Sequence, residues 1–429
     1  MYDLGIVNGR IYLGGSWFEG NVYVRNGRIA TLSAAFFPAR HEHDAEGWMV
    51  LPGFIDPHVH FAMTAGKYAT VDTFASGSAA AALGGVTTYI DFLECAGSVT
   101  ALDQLYRERR KAAENSVVDY GFHAAAVDPQ DSPLAMMRAA KKMGMPTMKL
   151  YTTYGNCRSS DAFIESLLEL SPNERVRILV HAENDSMLRQ GRVRVSEHAL
   201  SRPVAAELTE MVKLAEMAMY RDGWLYLVHV SCGTSVKRLY DLYGTHWGRN
   251  LILESAPHYF CLTADSYARS DAWMFTMTPP LRSPAEASLL AEQIDRIQVI
   301  GSDHCSFAET DKKQEFTGDV PMGIGGVQYS FPLLFQKFGE KMIDKFTKNV
   351  AQVHGLYPDK GSLLPGSDAD IVIYEQTGST SISHRGAGYS PYEGMAISGR
   401  VRDTVSRGRF VVRHGVLVGG QGRYVARRL

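Results

Sequence analysis

Apolar and polar positions along this chain change their period twice. Up to about residue 50 the apolar positions fall in short stretches: Leu4-Gly5-Ile6-Val7, Ile11-Tyr12-Leu13, Val22-Tyr23-Val24 and Ile29-Ala30-Thr31-Leu32. Asn8-Gly9, Gly14-Gly15 and Asn26-Gly27 stand between them. Short strand-like runs divided by such dipeptides predict antiparallel hairpins. After Pro52-Gly53 the pattern becomes eight short apolar runs, at 54–61, 86–92, 120–126, 147–152, 177–183, 224–231, 250–259 and 298–303. Helical stretches lie between them, at 73–83, 101–115, 133–143, 160–170, 204–220, 235–243 and 285–294. From about residue 360 the short β runs return, at 370–374, 404–406, 410–412 and 416–418.

Apolar runs alternating with helices argue for parallel strands joined by crossover helices. Eight of them predict an α/β fold: a closed (β/α)8 barrel over residues 53–359. The alternative is an open doubly wound sheet, which the absence of Gly-x-Gly-x-x-Gly after the first run disfavours. The two β-rich ends, 1–52 and 360–429, are expected to form one small β-sandwich domain beside the barrel.

Function in such barrels sits at the C-terminal ends of the strands. The first run ends in His58-Val59-His60, two imidazoles on one strand face. The fourth carries Lys149, the fifth ends near His181, the sixth near His229 and the eighth at Asp303. Any one of these histidines could be a hydrogen-bonded core residue, but four at matching ends beside an aspartate indicate a metal site. Nitrogen and carboxylate donors without thiolate suit zinc, with manganese, cobalt or iron as alternatives. Lys149 as an ammonium would repel a cation. Its functional reading is reaction with carbon dioxide to give N6-carboxylysine, an anion with two oxygens; the bland one is a lysine leaving the barrel mouth for solvent. His123, His258, His304 and Asp91 are read as supporting groups, Cys305 as inert, and Met136, Met137 and Met143 as core.

Composition narrows the classes. The chain has 429 residues, 45% of them hydrophobic, and a formal charge of -2. That balance gives no reason to expect a nucleic-acid partner. No apolar run approaches a membrane span, and the first residues lack the basic and apolar regions of a signal peptide. Five scattered cysteines without a C-x-x-C pair are read as reduced thiols of a cytoplasmic protein.

These motifs together resemble the cyclic amidohydrolases, in particular the hydantoinase/dihydropyrimidinase branch, over nearly the whole chain. The carriers are Gly53-Phe54-Ile55-Asp56-Pro57-His58-Val59-His60, Asp72-Thr73-Phe74-Ala75-Ser76-Gly77, Lys149-Leu150-Tyr151 with Tyr154, His181-Ala182-Glu183-Asn184 and Ser201-Arg202-Pro203. Val228-His229-Val230-Ser231, Pro279-Pro280-Leu281-Arg282, Gly301-Ser302-Asp303-His304-Cys305 and Tyr392-Glu393-Gly394 complete them. The resemblance implies a hydrolase that opens the amide bond of a cyclic ureide or imide of hydantoin or dihydropyrimidine type. It implies one zinc on His58, His60 and Asp303, a second on His181 and His229, and carboxylated Lys149 with an attacking hydroxide bridging them. Tyr154 would donate to the oxyanion, Asp303 would carry the proton, and the backbone near Thr278 and Met322 would hold the ring amide. In this branch the loops after strands one and four line the substituent pocket, usually with apolar groups. Here the matching stretch includes Thr64, Tyr151, Cys157 and Arg158, a difference that points to a more polar substituent, with Arg158 either meeting a carboxylate or pointing into solvent.

Three departures qualify the match. Phe61-Ala62-Met63-Thr64 replaces the polar anchor of dihydroorotases and allantoinases, which remain the alternative enzymes along with other cyclic-imide hydrolases. Met322 stands where the branch has asparagine, and the tail after Tyr392 is short for an expected homotetramer, with a dimer as the alternative. Collapsin response mediator proteins share the fold as non-catalytic scaffolds, but here all six ligand positions are filled.

Overall fold

Eight parallel strands stand in chain order in the computed structural model, which describes every residue except Pro129, Gln190, Ser381 and 383–385. They are β1 (Phe54–Val59), β2 (Val86–Ala96), β3 (Asp119–Ala126), β4 (Thr147–Tyr151), β5 (Arg177–His181), β6 (Leu225–Leu227), β7 (Leu251–Ser255) and β8 (Val299–Ile300). A parallel bridge between Val59 and His304 brings the first strand to the last. There His60 N–H donates to the His304 carbonyl at 2.8 Å. The expected barrel is present.

Strand alternation sorts the side chains. On β5, Ile178 and Val180 face outward into the core under the helices, while Leu179 faces inward. Ile55, Ile90, Phe92, Leu179, Tyr226, Ile252 and Val299 fill the barrel interior as a separate cluster. Five of the helices begin where a hydroxyl caps them. The side chains of Ser98, Ser132, Ser160 and Ser283 each accept from the amide three residues on, and Thr73 with Ser76 forms a capping box.

Three runs stop three or four residues earlier than expected. The sixth ends at Leu227. The seventh stops at Ser255, and Pro257–Cys261 is a short helix instead of strand. Pro257 has no N–H for the ladder, and its fixed φ suits the first turn of a helix. In the eighth run only Val299–Ile300 is strand. A Cβ on Gly301 would lie 2.7 Å from His58 Cβ, so glycine permits the last strand to close against the first.

The chain ends build a separate nine-stranded sheet, in which Ile371–Thr380 pairs antiparallel with Met49–Pro52. Its core contains Ile6, Ile11, Val22, Val24, Val50, Ile371, Ile373 and Val405. One expected turn is absent. Tyr2–Tyr12 is a single strand that passes through Asn8-Gly9 with a bulge. Asn8 takes φ 55° and its N–H donates to Asn21 Oδ1 at 2.9 Å. Gly9 passes so close to Val50 that a Cβ would meet its Cγ2 at 2.4 Å. The left-handed residue kinks the strand without reversing it. Gly14-Gly15 and Asn26-Gly27 do make the expected reversals.

The last residues return to the barrel. Tyr424 bridges Tyr120, and the buried Arg427 donates to the Phe122 carbonyl and, at 2.8 Å, to Thr147 Oγ1. Among the described residues no helix is long and apolar enough to cross a membrane.

Candidate active site

A cavity of about 510 Å³ opens at the C-terminal end of the barrel. His58, His60, Lys149, His181, His229 and Asp303 line it together. Strand alternation alone aims the side chains of β4 and β5 inward. His229 and Asp303 need more, since each follows the end of its strand. They take φ 39° and φ 50°, values rare outside glycine, which turn their side chains toward the others.

The donors fall into two groups. His58 Nε2 and His60 Nε2 lie 3.2 and 3.3 Å from Asp303 Oδ1, and all three donors stand within 4.8 Å of one another. His181 Nδ1 and His229 Nε2 are 3.0 Å apart. Donors held about 2.0–2.1 Å from one tetrahedral ion stand about 3.3 Å from each other. Both separations therefore fit a divalent cation. Burial pushes His60, His181 and His229 below the ordinary imidazole value and keeps them in the neutral, ligating form. Burial opposes the charge on Asp303, but His58 and His60 outweigh it and hold its carboxyl below the usual range.

The outer nitrogens are fixed by carboxylates. Glu254 Oε1 lies 2.6 Å from His58 Nδ1, and its other oxygen accepts from the Tyr226 hydroxyl at 2.6 Å. Glu183 Oε2 lies 2.7 Å from His181 Nε2 and takes a second bond from Arg202 at 2.6 Å. Such carboxylates set which ring nitrogen faces the ion and make it a better donor. Sequence reading assigned no role to Glu254. Its only signal is a carboxylate in the apolar strand Leu251-Ile252-Leu253-Glu254, where burial demands a partner. Glu254→Gln should weaken metal binding by about 10–100-fold. Competition with a chelator checks this; unchanged metal retention would remove Glu254 from that role.

Lys149 is buried, its Nζ 5.1 Å from the Phe92 ring centre and 5.2 Å from that of Tyr151. Burial lowers its pKa to about 8. Tyr154 stands on the cavity wall at φ 73°, its ring 4.8 Å from that of His181. Desolvation raises its phenol above the ordinary value, so the hydroxyl keeps its proton as a donor.

Thr64, Tyr151, Cys157, Thr278 and Met322 line the same cavity, whereas Arg158 is not among the lining residues. Its guanidinium lies 3.1 Å from Asp185, and the side chain is 55% exposed. Of the two readings of Arg158, a substituent carboxylate or solvent, the structure shows the side chain largely exposed and paired with Asp185, in the turn that follows β5. A second unforeseen group is Lys312. Its buried Nζ donates to the carbonyls of Thr276, Pro321 and Gly323 at 2.7, 3.0 and 2.9 Å. It ties together the segments that carry Thr278 and Met322.

Comparison with known proteins agrees with this geometry. Residues 49–318 match the amidohydrolase family. A D-phenylhydantoinase of Escherichia coli O81 (strain ED1a) is 31% identical, over 99% of this chain and 98% of that protein. A D-hydantoinase of Ralstonia pickettii is 28% identical over 99% of each. The solved dihydropyrimidinase of Brevibacillus agri NCHU1002 superposes with a TM-score of 0.92 at 28% identity, covering 100% of this chain and 99% of that one.

Proposed function

The chain belongs to the amidohydrolase family, and from that premise we propose that it opens the amide bond of a cyclic ureide or imide of hydantoin or dihydropyrimidine type. The observation that carries the reading is the convergence of four imidazoles, one carboxylate and one lysine at one barrel mouth, with a phenol on the same wall. His58, His60 and Asp303 would hold one divalent ion, zinc by donor type, and His181 with His229 a second; Lys149 as N6-carboxylysine would lie between them. When bound, such ions acidify a water toward neutral pH and polarise the ring carbonyl.

The chain's own residues supply the rest. The Asp303 carboxylate accepts the proton released by the attacking water and returns it to the leaving ring nitrogen. Tyr154 donates its O–H to the carbonyl oxygen as charge develops there. The backbone at Thr278 and Met322, braced by Lys312, holds the ring amide edge-on. Met63, Thr64, Leu93 and Tyr151 face the side on which a substituent projects, a mainly apolar wall. With Arg158 engaged by Asp185, carboxyalkyl substituents gain no cation there. The reading carries with it a cytoplasmic homotetramer or dimer acting on a free small molecule.

The test is ring opening by zinc-reconstituted, bicarbonate-treated protein on dihydrouracil, hydantoin, aryl and carboxyalkyl hydantoins, allantoin and dihydroorotate. Metal-dependent turnover of dihydrouracil or a hydantoin is expected. Activity confined to allantoin or dihydroorotate would move the assignment to those enzymes, and silence on every ring would overturn it. Tyr154→Phe should keep metal content and lower kcat by about 10²–10³-fold with a smaller change in KM. Unchanged kcat would leave the phenol as packing only.

A further inference from the structure

The mainly apolar wall of the active-site cavity carries one charge. Among the described residues that line it, Glu94 is the only charged group besides the four histidines, Lys149 and Asp303 at the barrel mouth. It lies near the end of β2, where that strand bulges. Phe92 is in register with His123 of β3 and Cys95 with Ala125, so two residues of β2, Leu93 and Glu94, stand against Ala124 alone. A bulge beside an active site re-aims a side chain. Here Phe92 and Leu93 are buried and Glu94 is exposed.

The Glu94 carboxylate is left without a committed partner. Arg109 is the nearest cation, its Nη1 3.9 Å from Glu94 Oε1 and so too far for a hydrogen bond. The buried Arg109 is already engaged. Its guanidinium donates to the carbonyls of Phe61 and Ala62 at 2.9 and 2.8 Å and to Asp91 Oδ1 at 3.0 Å. Those carbonyls open the loop after β1, whose residues from Met63 to Gly66 line the cavity, so the carboxylate stands beside that loop. Lys67, in the turn of the Thr64–Ala69 hairpin, lies over the Tyr68 ring at 5.0 Å and does not line the cavity. Among the described residues Glu94 accepts no hydrogen bond from a side chain or the backbone, and its side chain is 41% exposed.

A half-solvated carboxylate on an open surface needs no partner. On a cavity wall it does, because a ligand that fills the cavity takes water from it, at a cost unless the ligand brings a donor. An alkyl chain brings none, and a carboxylate adds repulsion. An ammonium or guanidinium replaces the lost water with a charge-assisted hydrogen bond.

We infer that Glu94 selects the ring substituent by charge, so that the substrate carries an ammonium or guanidinium on a short chain from the ring, and carboxylate-bearing rings are rejected. The ring comes from the cyclic-amide reading above, whereas the preference for a cation does not.

Two measurements test this. The first uses zinc-loaded, bicarbonate-treated protein and hydantoins bearing aminoalkyl, alkyl and carboxyalkyl chains of matched length. In the wild type kcat/KM should favour the aminoalkyl over the alkyl ring by about tenfold, as one charge-assisted hydrogen bond supplies. Most of the difference should lie in KM, since the chain end is remote from the reacting carbonyl. Glu94→Gln should bring the ratio to about one, and Glu94→Lys should place the carboxyalkyl ring ahead of the aminoalkyl one. Each ratio is taken within one protein, so a general loss of activity does not move it.

The second measurement needs no substrate. Cys95 follows Glu94 in the chain, is partly exposed and lines the same cavity. Its labelling rates with a trimethylammonioethyl and a sulfonatoethyl methanethiosulfonate, read by peptide mapping, give a cation-to-anion ratio. Glu94→Gln should lower that ratio by about fivefold at low salt and by less at about 1 M salt. Equal kcat/KM for aminoalkyl and alkyl rings in the wild type would overturn the proposal. So would a preference that survives in Glu94→Gln, or a labelling ratio that this variant leaves unchanged. If no ring is opened while the labelling ratio falls as expected, the ring-opening reading fails and the cavity's preference for cations stands.

Discussion

Asp303→Asn should reduce ring opening by 10³-fold or more while the protein stays folded. The carboxylate is asked to do two things. One oxygen stands 3.2 and 3.3 Å from the nitrogens of His58 and His60 and would complete the proposed cation site. The same group is proposed to carry the proton from nucleophile to leaving nitrogen, a role worth about 10²–10⁴-fold by itself. Asparagine is the informative replacement. At φ 50° the backbone is one that asparagine and aspartate accept better than other side chains, so the local fold is retained. The amide keeps one oxygen as a weak donor but can neither hold a negative charge nor take the proton. Thermal melting should shift by little, metal content should fall in part, and kcat should fall far more than metal content does. Turnover above a tenth of wild type at full metal loading would remove Asp303 from proton transfer.

Much of this site could be read along the chain because a barrel places function where apolar runs stop. Lys149 and His181 needed only strand alternation to point inward. His229 and Asp303 were found by the same rule for a reason the sequence does not display: both depend on a left-handed backbone turn after their strands. The misreadings share one cause, competition between a local signal and a distant partner. Asn8-Gly9 carries the strongest dipeptide signal for a hairpin, yet Asn21 and Val50 hold it inside a continuous strand. Arg158 sits close to the pocket in sequence, but Asp185, on the next strand's loop, claims its charge. Glu254 and Lys312 escaped because a buried ion's purpose lies in its partners, and these sit far off in the chain.

Lys149→Ala should lose about half of the bound metal and nearly all turnover, and a small carboxylate should restore part of both. The lysine sits among the donors proposed to hold two cations, yet its own ammonium would repel them. Among the described residues its Nζ makes neither a hydrogen bond nor an ion pair, and it lies over the rings of Phe92 and Tyr151. A cation buried at such a place is unfavourable unless its charge is removed or reversed. Addition of the amine to carbon dioxide does this: a C–N bond forms, a proton leaves, and the product is an anion with two oxygens on the former lysine. Alanine removes the anion and leaves room for another. Acetate or propionate in the buffer should therefore raise metal occupancy and turnover of Lys149→Ala in a saturable way, while Lys149→Gln, whose amide fills the space without charge, should not respond. Metal content by elemental analysis separates the two roles of the group. Full occupancy by two ions in Lys149→Ala without added carboxylate would show that the lysine is not a bridge between them.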